Sequence, residues 1–322
     1  MPITVRAVVV TWNGIDLLPA CLSSLAAQRL DGELEVVVVD NASTDGTDEL
    51  LARDFPAVTV VRAERNLGFA GGVELGLRGL DADFALLLNN DATLEPDGVD
   101  RLVTCALAHP RAGAVTARVL LAPAADRDDV LVNSTGLEVT TAGTGQDRDW
   151  LATLGTESHA PDVFGFCGAA ALLRRTALDQ VGTFDAELFL YYEDTDLSWR
   201  LRSAGWVVRH EPSAVAHHRH AASSDVDSPL FRYYNTRNSL VVFGRHAPHR
   251  VVLRSWARQT AGWLLACARR GPGDPVVRAR GRGLAHAFRR LPRTLRERRG
   301  LWRGSAVARR SVAALLVRRR SA

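Results

Sequence analysis

The sequence predicts an α/β fold: a mostly parallel sheet flanked by helices, followed by a C-terminal amphipathic helical tail. Three observations carry that reading. Short β-branched runs alternate with helical segments over the first 120 residues, each run closes on polar residues, and the charge changes sign after residue 244. With 322 residues, 47% apolar and 24% charged, the chain can bury a sizeable core and is too mixed for disorder.

The first run is Val5 to Thr11, and Leu17 to Gln28 follows with helical periodicity. Leu34 to Val39 is the second run, and Thr44 to Arg53 reads as a helix capped by Ser43 or Thr44. Val58 to Arg62, a helix around Gly72 to Leu80, and the run Phe84 to Leu88 complete the alternation. Continuous apolar strands of this kind are covered on both faces, and in such sheets ligands gather at the carboxyl ends of strands. Here those ends read Thr11-Trp12-Asn13, Asp40-Asn41-Ala42-Ser43, Arg65-Asn66 and Asn89-Asn90-Asp91. A turn or helix cap explains any one of them. Four on one edge point to a site. Glycines at 68, 71 and 72 follow the third run, where backbone can approach a ligand closely.

Residues 122 to 162 are polar and irregular, a long loop or hairpin region of the kind that forms lids. Phe164 to Leu173 is small and apolar, and Arg174 to Val181 is helix-like. Tyr191-Tyr192-Glu193-Asp194-Thr195-Asp196 then opens another helix with three carboxylates in four residues, more than capping needs. Trp206 to Arg209 and Ser213 to Ala216 read as two strands, the second delivering His217-His218-Arg219-His220.

Composition excludes several chemistries. All 40 basic residues are arginine, so a lysine-bearing phosphate loop, a Schiff-base enzyme and a pyridoxal-phosphate anchor are ruled out. The four cysteines form no CxxC pair and read as reduced, buried thiols. No GxGxxG follows the first run, which argues against a dinucleotide-binding domain. No cleavable apolar segment follows the N-terminal run and no membrane-length apolar stretch occurs, so a cytosolic chain is expected.

Residues 1 to 244 hold 19 arginines against 34 acids, and residues 245 to 322 hold 21 against Asp274 and Glu297. Val252, Trp256, Trp263 and Cys267 recur at helical spacing among the tail's arginines, and a second mixed stretch follows GPGDP at 271 to 275. Such helices suit an anionic bilayer surface. No nucleic-acid motif accompanies the charge, so no nucleic acid is expected as a partner.

Five blocks in order, VVVTWNG, VVVDNASTDGT, ERNLGFAGG, LLLNNDATLEP and GTFDAELFLYYEDTDLSWRLRSAGW, resemble the family 2 inverting glycosyltransferases of the GT-A fold. The likeness is to their rhamnosyltransferase-like branch and spans about residues 3 to 244. It implies a catalytic domain over 1 to 244, with 245 to 322 as a basic, membrane-associating tail. The implied activity is transfer of a sugar from a nucleotide-sugar donor, dTDP-rhamnose the leading choice, to a hydroxyl of a lipid-linked or polysaccharide acceptor in cell-envelope glycan synthesis. The implied cofactor is Mg²⁺ or Mn²⁺, a hard cation that offsets charge on the leaving diphosphate.

By the same resemblance, Thr11, Asn13, Asp40, Arg65, Asn66 and Gly68 bind the nucleotide, Asp40 accepting from the base N–H. The family's Asp-x-Asp motif falls on Asn89-Asn90-Asp91, with an amide at its first position. Asp91 is then the metal ligand, and Asn89 and Asn90 touch ribose or phosphate. The family's metal-binding histidine is His218 by its spacing from Pro212, or the adjacent His217. Strand alternation lets only one of the two face inward. Asp194 corresponds to the general base, Glu193, Asp196, Trp199 and Arg200 lie around the acceptor or support it, and Arg237 reaches a diphosphate or the acceptor's phosphate. The tail implies a peripheral position on the inner face of the membrane. Two alternatives stand beside this reading: a catalytically degenerate scaffold, because of Asn89, and a sugar nucleotidyltransferase, whose usual glycine-rich loop TWNGIDL lacks.

Overall fold

The computed structural model describes residues 2–122, 129–219 and 228–318. The first half alternates β1 (Ile3–Thr11), α1 (Leu18–Ala26), β2 (Gly32–Asp40), α2 (Thr47–Asp54), β3 (Thr59–Arg62), α3 (Gly68–Gly76) and β4 (Phe84–Leu88). The short β5 (Ala92–Leu94), α4 (Gly98–Ala108) and β6 (Ala112–Leu121) follow. The stretch read as a loop contains β7 (Val132–Ser134), β8 (Leu137–Val139) and β9 (Gly145–Asp147), with β8 and β9 forming a separate hairpin; its residues 123–128 lie outside the described residues. Beyond it come β10 (Asp162–Val163), β11 (Ala170–Arg174), α5 (Arg175–Val181), α6 (Glu193–Ser203) and β12 (Val207–His218). The chain continues through α7 (Pro229–His246), α8 (His249–Arg270), α9 (Pro275–Arg303) and α10 (Arg309–Ala313).

Among the described residues the main sheet runs β10-β12-β6-β11-β4-β1-β2-β3, with β5 on β12 and β7 on β6. The β4-β1-β2-β3 half is wholly parallel, β6 and β12 are parallel, and β11 joins the two halves antiparallel to both neighbours. Alternation along the strands builds one core on each face. Phe84, Leu86 and Leu88 pack with α1 and α4 residues, and Ala85 and Leu87 pack with residues of α3, α5, α6 and α7.

Three elements differ from the sequence reading. Helix α2 begins at Thr47, not Thr44, because Asp45 accepts hydrogen bonds from the Thr47 N–H at 3.2 Å and hydroxyl at 2.6 Å. Ser43 and Thr44, read as caps, bond to Asn13 instead, at 2.9 and 2.8 Å. Helix α3 starts at Gly68, four residues early. Gly68 has φ +71°, and a Cβ there would lie 2.3 Å from the Phe189 carbonyl oxygen, so glycine is required where the chain passes so closely. The two strands read around Pro212 are one strand, β12, whose register shift between Glu211 and Val215 absorbs the proline.

The arginine-rich C-terminal segment folds back on the body. The sequence division at 244/245 falls inside α7, whose last two residues, Arg245 and His246, are buried. Val317 exchanges backbone hydrogen bonds with Val139 and Thr141, and the Val307 N–H donates to the Ser203 carbonyl. Val251 and Val312 enter the core beside Trp199 and Phe243. Exposed apolar residues remain on α8, at Leu253, Leu264 and Leu265, and on α9, at Phe288 and Leu295. Cys21, Cys105 and Cys167 are buried free thiols, whereas Cys267, also read as buried, is half-exposed on α8.

Candidate active site

The parallel pairing of β1 with β2 sets Thr11 opposite Asp40, which brings two polar strand ends to one edge. Asp40 is fully buried: its Oδ1 accepts from the Ser43 N–H at 2.9 Å, and its Oδ2 has no hydrogen-bond partner, with Arg62 Nη1 3.7 Å away. A buried carboxylate oxygen without a donor is costly unless a ligand supplies one. Asn90 reaches across from the end of β4 and donates to the Thr11 hydroxyl at 3.0 Å. Asn13, at φ 49°, is committed to the 41–44 loop through its N–H to Ser43 and its Oδ1 from Thr44. Asn66 accepts from the Gly68 N–H at 2.8 Å, and buried Asn41, read in the sequence only as part of the polar end of the second run, donates to the Gly68 carbonyl at 3.0 Å. Arg65 stands exposed at the rim.

The pairing of β5 with β12 in the register His218↔Ala92 carries His218 to Asp91. His218 Nε2 lies 3.0 Å from Asp91 Oδ1, and Asn89 Nδ2 lies 3.4 Å from the same nitrogen. His217 points elsewhere, with Nε2 3.0 Å from Glu95 Oε1. His220 lies outside the described residues. The other ring nitrogen of His218, Nδ1, sits 2.7 Å from Asn133 Oδ1. With the Asn133 carbonyl accepting, Nδ1 carries the proton and Nε2 turns its lone pair toward the carboxylate. Two electron-rich atoms so close need a cation or a second proton between them; the carboxylate suits Mg²⁺ or Mn²⁺, and the imidazole favours Mn²⁺ over the harder Mg²⁺. Among the described residues no cluster of three or more His, Cys, Asp or Glu side chains is arranged to hold a metal. The Asp91–His218 pair offers two ligand atoms, an imidazole nitrogen and a carboxylate oxygen, on one side of the sheet edge.

Asp194 stands at the first turn of α6. Three left-handed residues, Phe189, Tyr191 and Tyr192 at φ 66°, 69° and 72°, lead into it. Non-glycine residues in this region store strain that the surroundings must hold. Asn238 on α7 holds it, donating to the carbonyls of Leu188, Leu190 and Tyr191 at 2.8 to 2.9 Å. Arg237, beside it, donates to the carbonyls of Glu187 and Leu188 and lies 4.8 Å over the Tyr234 ring, so in this state it braces the same turn.

Asp194 Oδ1 accepts from the Thr195 N–H at 2.6 Å and hydroxyl at 3.2 Å, and its Oδ2 lies beside Gly168. The next residue, Ala169, accepts the Asn89 N–H at 3.0 Å, which ties the Asp194 side of the site to the Asn89-Asn90-Asp91 turn. Burial, and then the charge of Asp147, push the Asp194 carboxyl up to about 7. Burial and Asp194 push Glu193 up to about 8, and its Oε2 has no hydrogen-bond partner. Sequence reasoning missed Asp147. It ends β9, its Oδ1 is buried without a partner, and burial raises its carboxyl. Its field reaches both Asp194 and His218. Only the polar composition of 122 to 162 hinted at it.

Asp196, Trp199 and Arg200 occupy the inner face of α6. Asp196 pairs with Arg200 at 2.9 Å, Arg245 at 3.1 Å and His246 at 2.9 Å. Burial opposes its charge, but Arg200, His246 and Arg245 together hold the carboxyl well below the usual range. Trp199 is buried, stacked on His246 at 5.6 Å and edge-on to Phe164 at 5.1 Å. Arg200 also donates to the carbonyls of Val181, Gly182 and Thr183 at the end of α5. These three residues fasten α6 from behind, and the sequence could not distinguish that role from contact with an acceptor.

The family model described as "Glycosyl transferase family 2" matches residues 7–182. The N-acetylglucosaminyl-diphospho-decaprenol L-rhamnosyltransferase of Mycobacterium tuberculosis (strain ATCC 25618 / H37Rv) is 30% identical over 263 residues, 75% of this chain and 82% of that protein. Among solved structures, GalNAc-T7 with UDP, GalNAc and Mn²⁺ superposes with a TM-score of 0.60 at 14% identity, over 91% of this chain and 56% of that one. The mannosyltransferase PcManGT of Pyrobaculum calidifontis with GDP-Man and Mn²⁺ gives 0.55 at 21% identity, over 93% and 85%. At these identities the solved structures establish the fold alone.

Proposed function

The chain belongs to glycosyl transferase family 2, and from that premise we propose that it moves a sugar from a nucleotide-sugar donor to a hydroxyl of a lipid-linked acceptor, with inversion, in cell-envelope glycan synthesis. L-Rhamnose from dTDP-rhamnose is the leading donor, in line with the mycobacterial relative's name as an L-rhamnosyltransferase, and N-acetylglucosaminyl diphospho-prenol is the acceptor that the same name suggests. The observation that carries the reading is the Asp91–His218 pair, 3.0 Å apart and backed by Asn133, on the sheet edge shared with Asp40 and neighbouring Asp194.

In this reading Asp40 Oδ2, which lacks a donor in the structure, accepts the N–H of the base, and Thr11 and Asn90 line the nucleotide pocket. Asn13, Asn66 and Gly68 shape the loops around it, and Arg65 and Asn89 approach the ribose or phosphates. Asp91 and His218 would hold a divalent cation, which would supply positive charge against the diphosphate. Asp194 takes the acceptor hydroxyl proton as that oxygen bonds to the anomeric carbon. The donor's anomeric C–O bond breaks on the opposite face, its electron pair leaving with the nucleoside diphosphate. Glu193 lies along the acceptor, and Asp196, Trp199, Arg200 and Arg237 keep Asp194 in place. No helix among the described residues is long and apolar enough to cross a membrane. Exposed Leu253, Leu264, Leu265 and Phe288 among the tail's arginines support peripheral association with an anionic inner leaflet.

Saturation-transfer NMR with a panel of nucleotide sugars, with and without Mn²⁺, tests the donor half of the reading. Metal-dependent binding of one donor is expected, lost in Asp91→Ala and His218→Ala and kept in Asp194→Asn. Failure to bind any nucleotide sugar would favour a degenerate scaffold.

A further inference from the structure

A groove among the described residues lies away from Asp91, behind the segment that carries Asp194. It has a volume of about 1030 Å³ and runs between the start of α7 and the middle of α9, lined by Leu230, Tyr233, Tyr234, Arg282, Ala285 and Arg289 among others. At Arg282 it continues into a second cleft of about 560 Å³ between α8 and α9, past Trp263 and Cys267.

The groove is connected to the base by stacked rings. Tyr234 lies parallel to Phe189 at 4.8 Å, and Phe231, beside Leu230, packs edge-on to Tyr191 at 4.9 Å. Phe189 to Tyr192 is the strained run that presents Glu193 and Asp194. The groove wall is therefore the back of the catalytic segment.

Its chemistry is two-sided. Leu230, the tyrosine rings and Ala285 give an apolar wall, and exposed Phe288 lies one helical step from Ala285. Arg282 and Arg289 are exposed and make no hydrogen bond or ion pair among the described residues. Glu187, at the adjoining turn, is already engaged by Arg290 at 2.7 Å and Arg293 at 2.8 Å, so it does not neutralise them. Two unneutralised guanidinium groups beside an apolar channel complement a diphosphate joined to a hydrocarbon chain, because arginine binds phosphate oxygens through paired N–H donors.

We infer that this groove binds the prenyl diphosphate of the acceptor, with Arg282 and Arg289 on the diphosphate and the Leu230–Tyr234–Ala285 wall on the first isoprene units. The inference rests on the lipid-linked-acceptor reading and adds the place where the lipid end is held.

The test uses the full-length protein and geranylgeranyl diphosphate as probe, followed by isothermal titration calorimetry below its micellar concentration. Inorganic pyrophosphate and phosphatidylglycerol vesicles serve as comparisons. The wild type is expected to bind the probe at least about tenfold more tightly than pyrophosphate. Arg282→Glu/Arg289→Glu should weaken the probe about tenfold or more, and Ala285→Trp, which fills the channel, should weaken the probe and leave pyrophosphate unchanged. Dissociation constants for the nucleotide-sugar donor should stay within about twofold in all variants, with circular dichroism spectra matching the wild type. Equal probe affinity in wild type and charge-reversed protein overturns the inference. So does binding to vesicles without binding to monomeric probe, which would make the surface a bilayer contact. Loss of probe binding with an unchanged KM for a lipid-linked acceptor also overturns it. Because the titration needs no turnover, failure of every transfer assay would count against the transferase reading and leave the groove to be judged separately.

Discussion

Replacing Asp194 with asparagine should remove transfer and stabilise the fold, by a margin that widens with pH. Burial and the neighbouring charge of Asp147 hold the Asp194 carboxyl at about 7 in the folded chain, against about 3.9 unfolded. Between those values the folded protein keeps a proton that the unfolded chain has released, so stability falls as pH rises through the window and levels off above the folded value. The penalty is about 1–2 kcal/mol at pH 5 and about 4 kcal/mol at pH 8. Asparagine carries no charge to desolvate, and its carbonyl oxygen can still accept from the Thr195 N–H. Its other effects on stability are therefore nearly independent of pH. Removing the charge also relieves Glu193, whose upward shift has Asp194 as its second cause. The stability gap between variant and wild type should thus widen by about 2–3 kcal/mol between pH 5 and pH 8. Urea unfolding of both proteins at the two pH values, followed by tryptophan fluorescence, measures it. A gap that is constant, or narrows toward pH 8, would refute the claim that Asp194 is held in a desolvated, acid-repelling setting.

Other outcomes follow from the same geometry. Asp40→Asn should weaken binding of the donor nucleotide by about 1–3 kcal/mol in calorimetric titration, because Oδ2 is buried and waits for a donor that an amide nitrogen would repel. Asp196→Ala should lower unfolding stability by about 3–5 kcal/mol, because it leaves Arg200 and His246 without their carboxylate and strips one of the carboxylates from buried Arg245. The catalytic rate of the wild type should rise with pH through about 7, as the Asp194 carboxyl loses its proton, and a pH–rate profile reads that directly.

The sheet was legible because its strands are uninterrupted apolar runs that close on Asn, Asp, Ser or Thr, and a parallel sheet must put those ends on one edge. Thr11, Asp40 and Asn90 are adjacent for that reason. The Asp91–His218 pair was harder, since it depends on the β5–β12 register, which three residues of β5 decide and no periodicity reveals. Asp147 was invisible because it rides on a short hairpin within polar sequence, where strand signal is too weak to register. Asp196 lies 49 and 50 positions from Arg245 and His246, and such a buried ion cluster looks in sequence like ordinary helix-end charge. The tail's helices were readable from their spacing, but not their docking. Val251, Ser255 and Gln259 form the buried stripe of α8, whereas the sequence pointed to Val252, Trp256, Trp263 and Cys267, which a mixed helix exposes only in part.

The most direct measurement of the central claim is the anomeric configuration of the product, taken together with its dependence on Asp194. Full-length protein, Mn²⁺, dTDP-rhamnose and N-acetylglucosaminyl diphospho-prenol are combined, and the product is read by NMR. The account predicts a glycoside of configuration opposite to the donor's, with the rate in Asp194→Asn reduced by about 10²–10⁴-fold while donor binding persists. A product that retains the donor's configuration, or an Asp194→Asn rate within about threefold of wild type, would contradict it.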